Sequence, residues 1–230
     1  MNKALKIVIE LVLLVAICGI TYAIYRSIMK PVNFNKEKAH RETVAIQRLK
    51  DIRTLQVAFK SVNGKFTSTV DSLKNFYENG KMNIVLQVGS ADDSIAWAHT
   101  EAVKKANRKI TPEKLYEMYL AGDNNLVFSI VTQIPVKDTL FTHREDFRID
   151  SLATIPFSGG EPVQMEAVTR MVSGVPVPLF EARMPYKLLL KGMDNQLRIN
   201  LDSERRDQNK YEGLQVGSVT APNNNAGNWE

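Results

Sequence analysis

The chain has 230 residues, of which 44% are hydrophobic and 24% charged. That balance excludes disordered and collagen-like classes and leaves room for one proper core with an appendage. The net charge is +5, but the first 42 residues hold seven of the 30 basic and three of the 25 acidic side chains, so +4 of it lies there. A nucleic-acid-binding domain concentrates basic charge in its folded part; no nucleic-acid partner is expected.

Ile7–Tyr25 (IVIELVLLVAICGITYAIY) is a run of 19 residues with one charge, Glu10. At about 1.5 Å per residue it reaches about 28 Å, the thickness of a bilayer's hydrocarbon layer. A retained transmembrane anchor over residues 1–30 is expected, with membrane lipid as its surroundings. Two other readings exist. A secretory signal would be cut near Thr21-Tyr22-Ala23, a poor site behind a long apolar run. A lipoprotein signal would use Cys18, but Ile17 is bulky where a small residue is needed. Cys18 is the only cysteine, so neither an intramolecular disulfide nor cysteine-based metal chemistry is available to the body. The flanking charges do not settle orientation. Lys3 and Lys6 with the N-terminal amine lie on one side, and Arg26, Lys30, Lys36, Lys38 and Arg41 on the other, a count that places the body in the cytoplasm.

An ionisable group in an apolar helix is costly and suggests function; the plainer reading is that Glu10 snorkels to the membrane surface. Ile7-Val8-Ile9-Glu10-Leu11, followed by VLLVAICGITYAI, resembles the N-terminal helix of type IV pilins and pseudopilins. The resemblance implies that Glu10 takes part in pairing with a neighbouring subunit, and that small Gly19 lies in the associating helix. It also implies an extracytoplasmic body, against the charge count. The family's cleavage glycine falls at Leu5 and its following aromatic at Lys6, so a prepilin peptidase is not expected to cut.

Residues 31–80 continue this layout. Ala45, Leu49, Ile52, Leu55, Phe59 and Val62 recur at steps of three and four, one stripe of an amphipathic helix that Gly64 should end. A short helix over Val70–Glu78 follows, with Thr69 as its cap, Leu73 and Phe76 as its buried face and Gly80 as its stop. The strings FNKEKAHRETVAIQRLKDIRTLQVAFKSVNGKFT, IPFSGG, VPLFEAR, QLRINLD and GLQVGSVTAPNNNAGNWE are similar to a family of uncharacterised single-pass membrane proteins of Bacteroidota. That likeness covers nearly the whole chain and implies no activity.

Residues 81–220 read as an α+β body. Asn83–Val88 and Leu126–Ile134 are strand-like; Ala91–Asn107 leans to helix; Thr111-Pro112-Glu113 opens a helix that Gly122 should close. Further strand candidates are Val163–Val172, Val175–Arg183, Gln196–Leu201 and Leu214–Val219, separated at Ser158-Gly159-Gly160, Ser173-Gly174 and Gly192. Helices early and strands late predict α+β with an antiparallel sheet. Leu49, Ile52, Leu55 and Phe59 should hold the long helix to it. Pro176 and Pro178 predict that their strand is an edge or starts after Pro178. Ala221–Glu230 should be a flexible tail unless Trp229 docks.

Chemistry is thin. There is no phosphate-binding glycine loop, GxSxG or HExxH. His99-Thr-Glu101 and His143-Arg-Glu145 lack the cysteines a zinc deaminase needs, and His40 lies in a charged stretch. Asp92-Asp93, Glu145-Asp146 and Glu204 read as solvated carboxylates, not a glycosidase pair. No enzyme, cofactor or metal is expected. The leading expectation is an inner-membrane, single-pass, pilin-like protein with a periplasmic body. Its partners would be other membrane helices or envelope proteins, itself included, in an envelope complex. The rivals are a tethered binding module for a cell-wall, glycan or protein partner, and a tethered hydrolase.

Overall fold

The computed structural model describes residues 3–230, with the side chains of residues 3–6, 8 and 9 outside the description. The side chains of Leu5 and Lys6, where a pilin cleavage site would align, lie outside the described residues, as do those of Lys3 and the N-terminal amine. The longest element, α1 (Lys3–Asn63), carries the apolar and the amphipathic segments in one continuous helix. The apolar stretch is exposed, and it is long and apolar enough to cross a membrane. The boundary expected at residue 30 is a change of surroundings and not of backbone. Residues 10–28 are exposed, whereas Phe34, Ala45, Leu49, Ile52 and Leu55 are buried. Pro31 lies inside the helix; having no N–H, it leaves the Ser27 carbonyl without its helical donor. Gly64 ends α1 as expected, at φ 72° with its N–H on the Lys60 carbonyl at 2.8 Å, a left-handed stop that glycine adopts freely.

The chain forms two compact units. The first comprises α1 up to Val57, Lys65–Val70 and Arg148–Glu230. Its sheet is β3 (Gln164–Val172), β4 (Val175–Pro185) and β5 (Gly213–Gly217), antiparallel in that order. Ser173 and Gly174 form the two-residue β3–β4 turn, both at positive φ, the geometry whose twist matches that of the strands. Val172 faces Val175 and Gln164 faces Arg183. β5 pairs only with Glu181–Pro185, so Pro176 and Pro178 lie where β4 has a single neighbour. The expected edge is therefore half of a strand. Prolines are tolerated there because no second ladder needs their missing N–H. Phe180, Ala182, Met184, Leu214 and Val216 are buried.

Two expectations for this unit are overturned. Gln196–Leu201 is not a strand but part of helix α6 (Asn195–Asp207). Leu197, Ile199 and Leu201 alternate as in a strand, yet the inward residues are 197, 198, 201 and 202, a helical spacing. Asp194 starts that helix by accepting from the Leu197 N–H at 2.9 Å, the N-cap role short acidic side chains perform. The tail is likewise not free. Gly227 bridges to Val216, the Gly217 N–H donates to the Ala226 carbonyl at 3.0 Å, and Asn228 Nδ2 donates to the Gly213 carbonyl at 2.9 Å. Its end meets the long helix, where Arg53 pairs with Glu230 at 2.7 Å. An Asn-rich composition suggested disorder; here the amides supply hydrogen bonds to a strand edge.

The second unit comprises Ala58–Gly64 and Asp71–Phe147. It has its own two-stranded antiparallel sheet, β1 (Lys81–Val88) with β2 (Phe128–Pro135), so the single sheet expected from sequence is two. Helices α2 (Val70–Asn79, its first residue in the other unit), α3 (Ser94–Ala106) and α4 (Pro112–Leu120) complete it. α3 starts at Ser94 because Asp93 accepts from the Ile95 and Ala96 N–H groups at 3.0 and 3.1 Å. Thr111 and Pro112 open α4 as expected. Val88, Leu115, Leu126, Phe128 and Ile130 form its core.

Candidate functional site

Glu10 and Gly19 are both exposed on α1, and nothing lies within 4 Å of where a Gly19 Cβ would be. They are nine residues apart, and at 100° per residue that is 900°, a half-turn offset. They therefore occupy opposite sides of the helix, so one neighbour cannot touch both. Two neighbours can.

The packing residues divide. Ala45, Leu49, Ile52 and Leu55 are fully buried in the first unit. Each large one contributes about 2 kcal/mol by leaving water. Next to Leu55, the buried Gln56 links α1 to the chain that follows it. It donates to the Thr67 carbonyl at 2.6 Å, accepts from the Thr67 N–H at 3.1 Å, and reaches Met165 of β3. Phe59 departs from the stripe. It is half-buried and packs edge-on against Phe76 of α2, ring centroids 5.3 Å apart, with Ala58 and Val136, in the second unit. Val62 is 42% exposed and buries little.

Between the exposed apolar stretch of α1 and the β3–β4–β5 sheet lies a polar brace that sequence reading did not find. Lys30 pairs with Asp194 at 2.7 Å, so one carboxylate caps α6 and ties it to α1 on the N-terminal side of Pro31. Eleven residues on, about 16 Å along the helix, Arg41 donates to the Leu189 and Lys191 carbonyls at 3.2 and 2.9 Å. Leu189 is the last residue of the short helix α5 (Tyr186–Leu189), and Lys191 lies two residues beyond it. The Arg41 guanidinium also covers the Phe157 ring at 4.9 Å. Glu42 accepts from the Tyr186 hydroxyl at 2.5 Å, and that hydroxyl accepts from Arg205 of α6 at 2.9 Å. Tyr186 is fully buried. Its phenol pKa is raised, first by burial and then by the Glu42 carboxylate that holds its proton. Asp194 is lowered, chiefly by its bond from Lys30. Contacts on both sides of Pro31 brace the helix where its ladder has lost a bond. The individual residues gave no motif, because Lys, Arg and Glu on a helix read as a solvated face.

The second unit carries an open groove of about 430 Å³. Leu115, Val127 and Phe128 form its floor, and Trp97, Ile110 and Pro112 are among its walls. Its polar lining is Gln87, Ser129 and Lys104. Trp97 is 48% exposed, with Lys104 Nζ 5.7 Å from its ring centre.

The chemistry candidates are dispersed. Asp93 is a helix cap. Asp146 is paired with Arg144, which lowers its pKa. Glu204 is exposed on α6. His99 meets Asp123 at 2.9 Å, and His40 lies against Phe157. Among the described residues no group of three or more His, Cys, Asp or Glu is gathered for a metal. No family model matches the chain, and neither a curated protein nor a solved structure matches it.

Proposed function

We propose that the protein is a non-enzymatic, pilin-like assembly component, anchored in the inner membrane by the N-terminal part of α1 with its body outside the cytoplasm. The observation that carries this is Glu10 and Gly19 on opposite sides of one exposed apolar helix. A charged group in lipid is costly unless it finds a partner, and a small residue lets a second backbone approach closely. Two such features facing opposite ways suit a helix packed between neighbours. The brace ties the first unit to the helix, so that association of helices brings first units together.

The test is the mass of the detergent-solubilised protein by light scattering. The wild type is expected as complexes of three or more copies, Glu10→Gln and Gly19→Ile each as pairs, and the double variant as monomers. A wild type that runs strictly as a monomer sinks self-assembly. Orientation is checked separately with C-terminal reporter fusions. Activity outside the cytoplasm is expected, and a C-terminus inside would remove the pilin-like reading.

A second reading, a membrane-tethered binding module, is favoured by one observation: the open groove of the second unit, with an apolar floor and a mixed lining.

A further inference from the structure

One wall of the groove belongs to a basic run. Residues 104–114 hold five basic side chains (Lys104, Lys105, Arg108, Lys109, Lys114) and one acidic, Glu113, a local net charge of +4. The whole of residues 43–230 nets only +1. This run is the end of α3, the linking loop and the start of α4, and it contributes Lys104, Ile110 and Pro112 to the groove wall. Lys104 and Lys114 have carboxylate neighbours, Glu101 at 3.3 Å and Glu117 at 2.7 Å. Lys105, Arg108 and Lys109 are exposed and make no ion pair among the described residues. Three unpaired cations thus lie within five residues, beside a hollow with an apolar floor.

We propose that this groove docks an acidic peptide segment of a partner protein, with one large apolar side chain as its anchor. The floor and walls supply the socket. Leu115, Val127 and Phe128 are almost wholly buried, and the half-exposed Trp97 is the kind of aromatic on which binding energy concentrates. The cations supply the sign: charge complementarity steers the encounter and selects the partner, and clusters of this kind recognise acidic motifs. The lining favours a peptide over a sugar. Gln87, Lys104, Ser129 and the Trp97 indole N–H are the hydrogen-bonding side-chain groups among the groove's lining residues, too few for a hydroxyl-rich ligand and enough to orient a backbone. The inference rests on the tethered-module reading and is independent of Glu10 and Gly19.

The test is fluorescence anisotropy with the full chain in neutral detergent. The probe is fluorescein-labelled Glu-Asp-Glu-Trp-Glu-Asp-Glu; a second has serine in place of its tryptophan, and polygalacturonate serves as competitor. The tryptophan probe is expected to bind, and its affinity should fall about tenfold in the triple Lys105→Glu, Arg108→Glu, Lys109→Glu variant. It should fall about tenfold again in Trp97→Ala and with the serine probe, while Glu10→Gln changes nothing. Binding that survives Trp97→Ala, or that ignores charge reversal, overturns the inference. Binding of polygalacturonate with none of the peptide overturns it too but leaves the tethered module standing. If neither binds at about 1 mM, both fall.

Discussion

Replacing Gly217 with alanine is expected to destabilise the first unit by about 3 kcal/mol, whereas Gly174→Ala costs about 1 kcal/mol. Both glycines have positive φ, 74° and 82°, so each substitution carries the penalty of the left-handed region. They differ in what a methyl group would meet. At Gly174 nothing lies within 4 Å; at Gly217 the Cβ would stand 2.2 Å from the Phe180 carbonyl oxygen. That oxygen belongs to β4, whose neighbour Glu181 faces Gly217 across the ladder. Neither backbone can retreat without opening β4–β5. The Gly217 N–H also holds the Ala226 carbonyl, so the tail is loosened with the strand. The measurement is denaturant unfolding followed by Trp229 emission in a Trp97→Phe background, which isolates the first unit's own transition. Equal losses for the two substitutions would show that backbone conformation alone matters here and that the close approach does not.

What could be read from sequence follows the reach of the interactions. The long apolar helix, the burial of Ala45, Leu49, Ile52 and Leu55, the Gly64 stop and the Ser173-Gly174 turn each rest on spacing or on one residue's conformational freedom, and all are present. The α6 error came from a tie: Leu197, Ile199 and Leu201 fit a period of two, and the deciding signal was the Asp194 cap three residues upstream of Leu197. The two sheets could not be told from one, because a strand does not announce its partner. Phe59 continues the stripe in sequence but crosses into the second unit, since that unit takes over the last turn of α1. The brace was least legible. Arg41 meets Leu189 and Lys191 some 150 positions away, and Tyr186 reaches Glu42 over a similar distance. The groove's cations were hidden by an averaged charge: a body near neutrality holds a local run of +4.

Alkaline pH should weaken the first unit through Tyr186, and a Tyr186→Phe variant should lack most of that loss. The sign follows from the raised folded-state pKa. In the unfolded chain a tyrosine ionises near pH 10; in the folded protein burial and Glu42 keep this phenol protonated beyond that. The stabilisation is fully present below about pH 10 and is lost as pH rises toward the folded value, at about 1.4 kcal/mol per pH unit. Tyr211 is also raised by burial, with Arg183 opposing, so the variant keeps a smaller slope of its own. At neutral pH Tyr186→Phe should cost about 1–2 kcal/mol, because Glu42 loses its donor and Arg205 its acceptor. Lys38 remains 3.5 Å from Glu42, so that carboxylate is not left alone. Urea unfolding at pH 8, 10 and 11, followed by Trp229 emission in the same Trp97→Phe background, separates the two effects. Lysine deprotonation is common to both proteins and cancels in the difference. Parallel slopes above pH 10 would mean that Tyr186 does not carry the linkage. A converging pair would show that the contact tying Glu42 of α1 to Tyr186 is held shut by a proton, and that the brace between anchor and body loosens when that proton leaves.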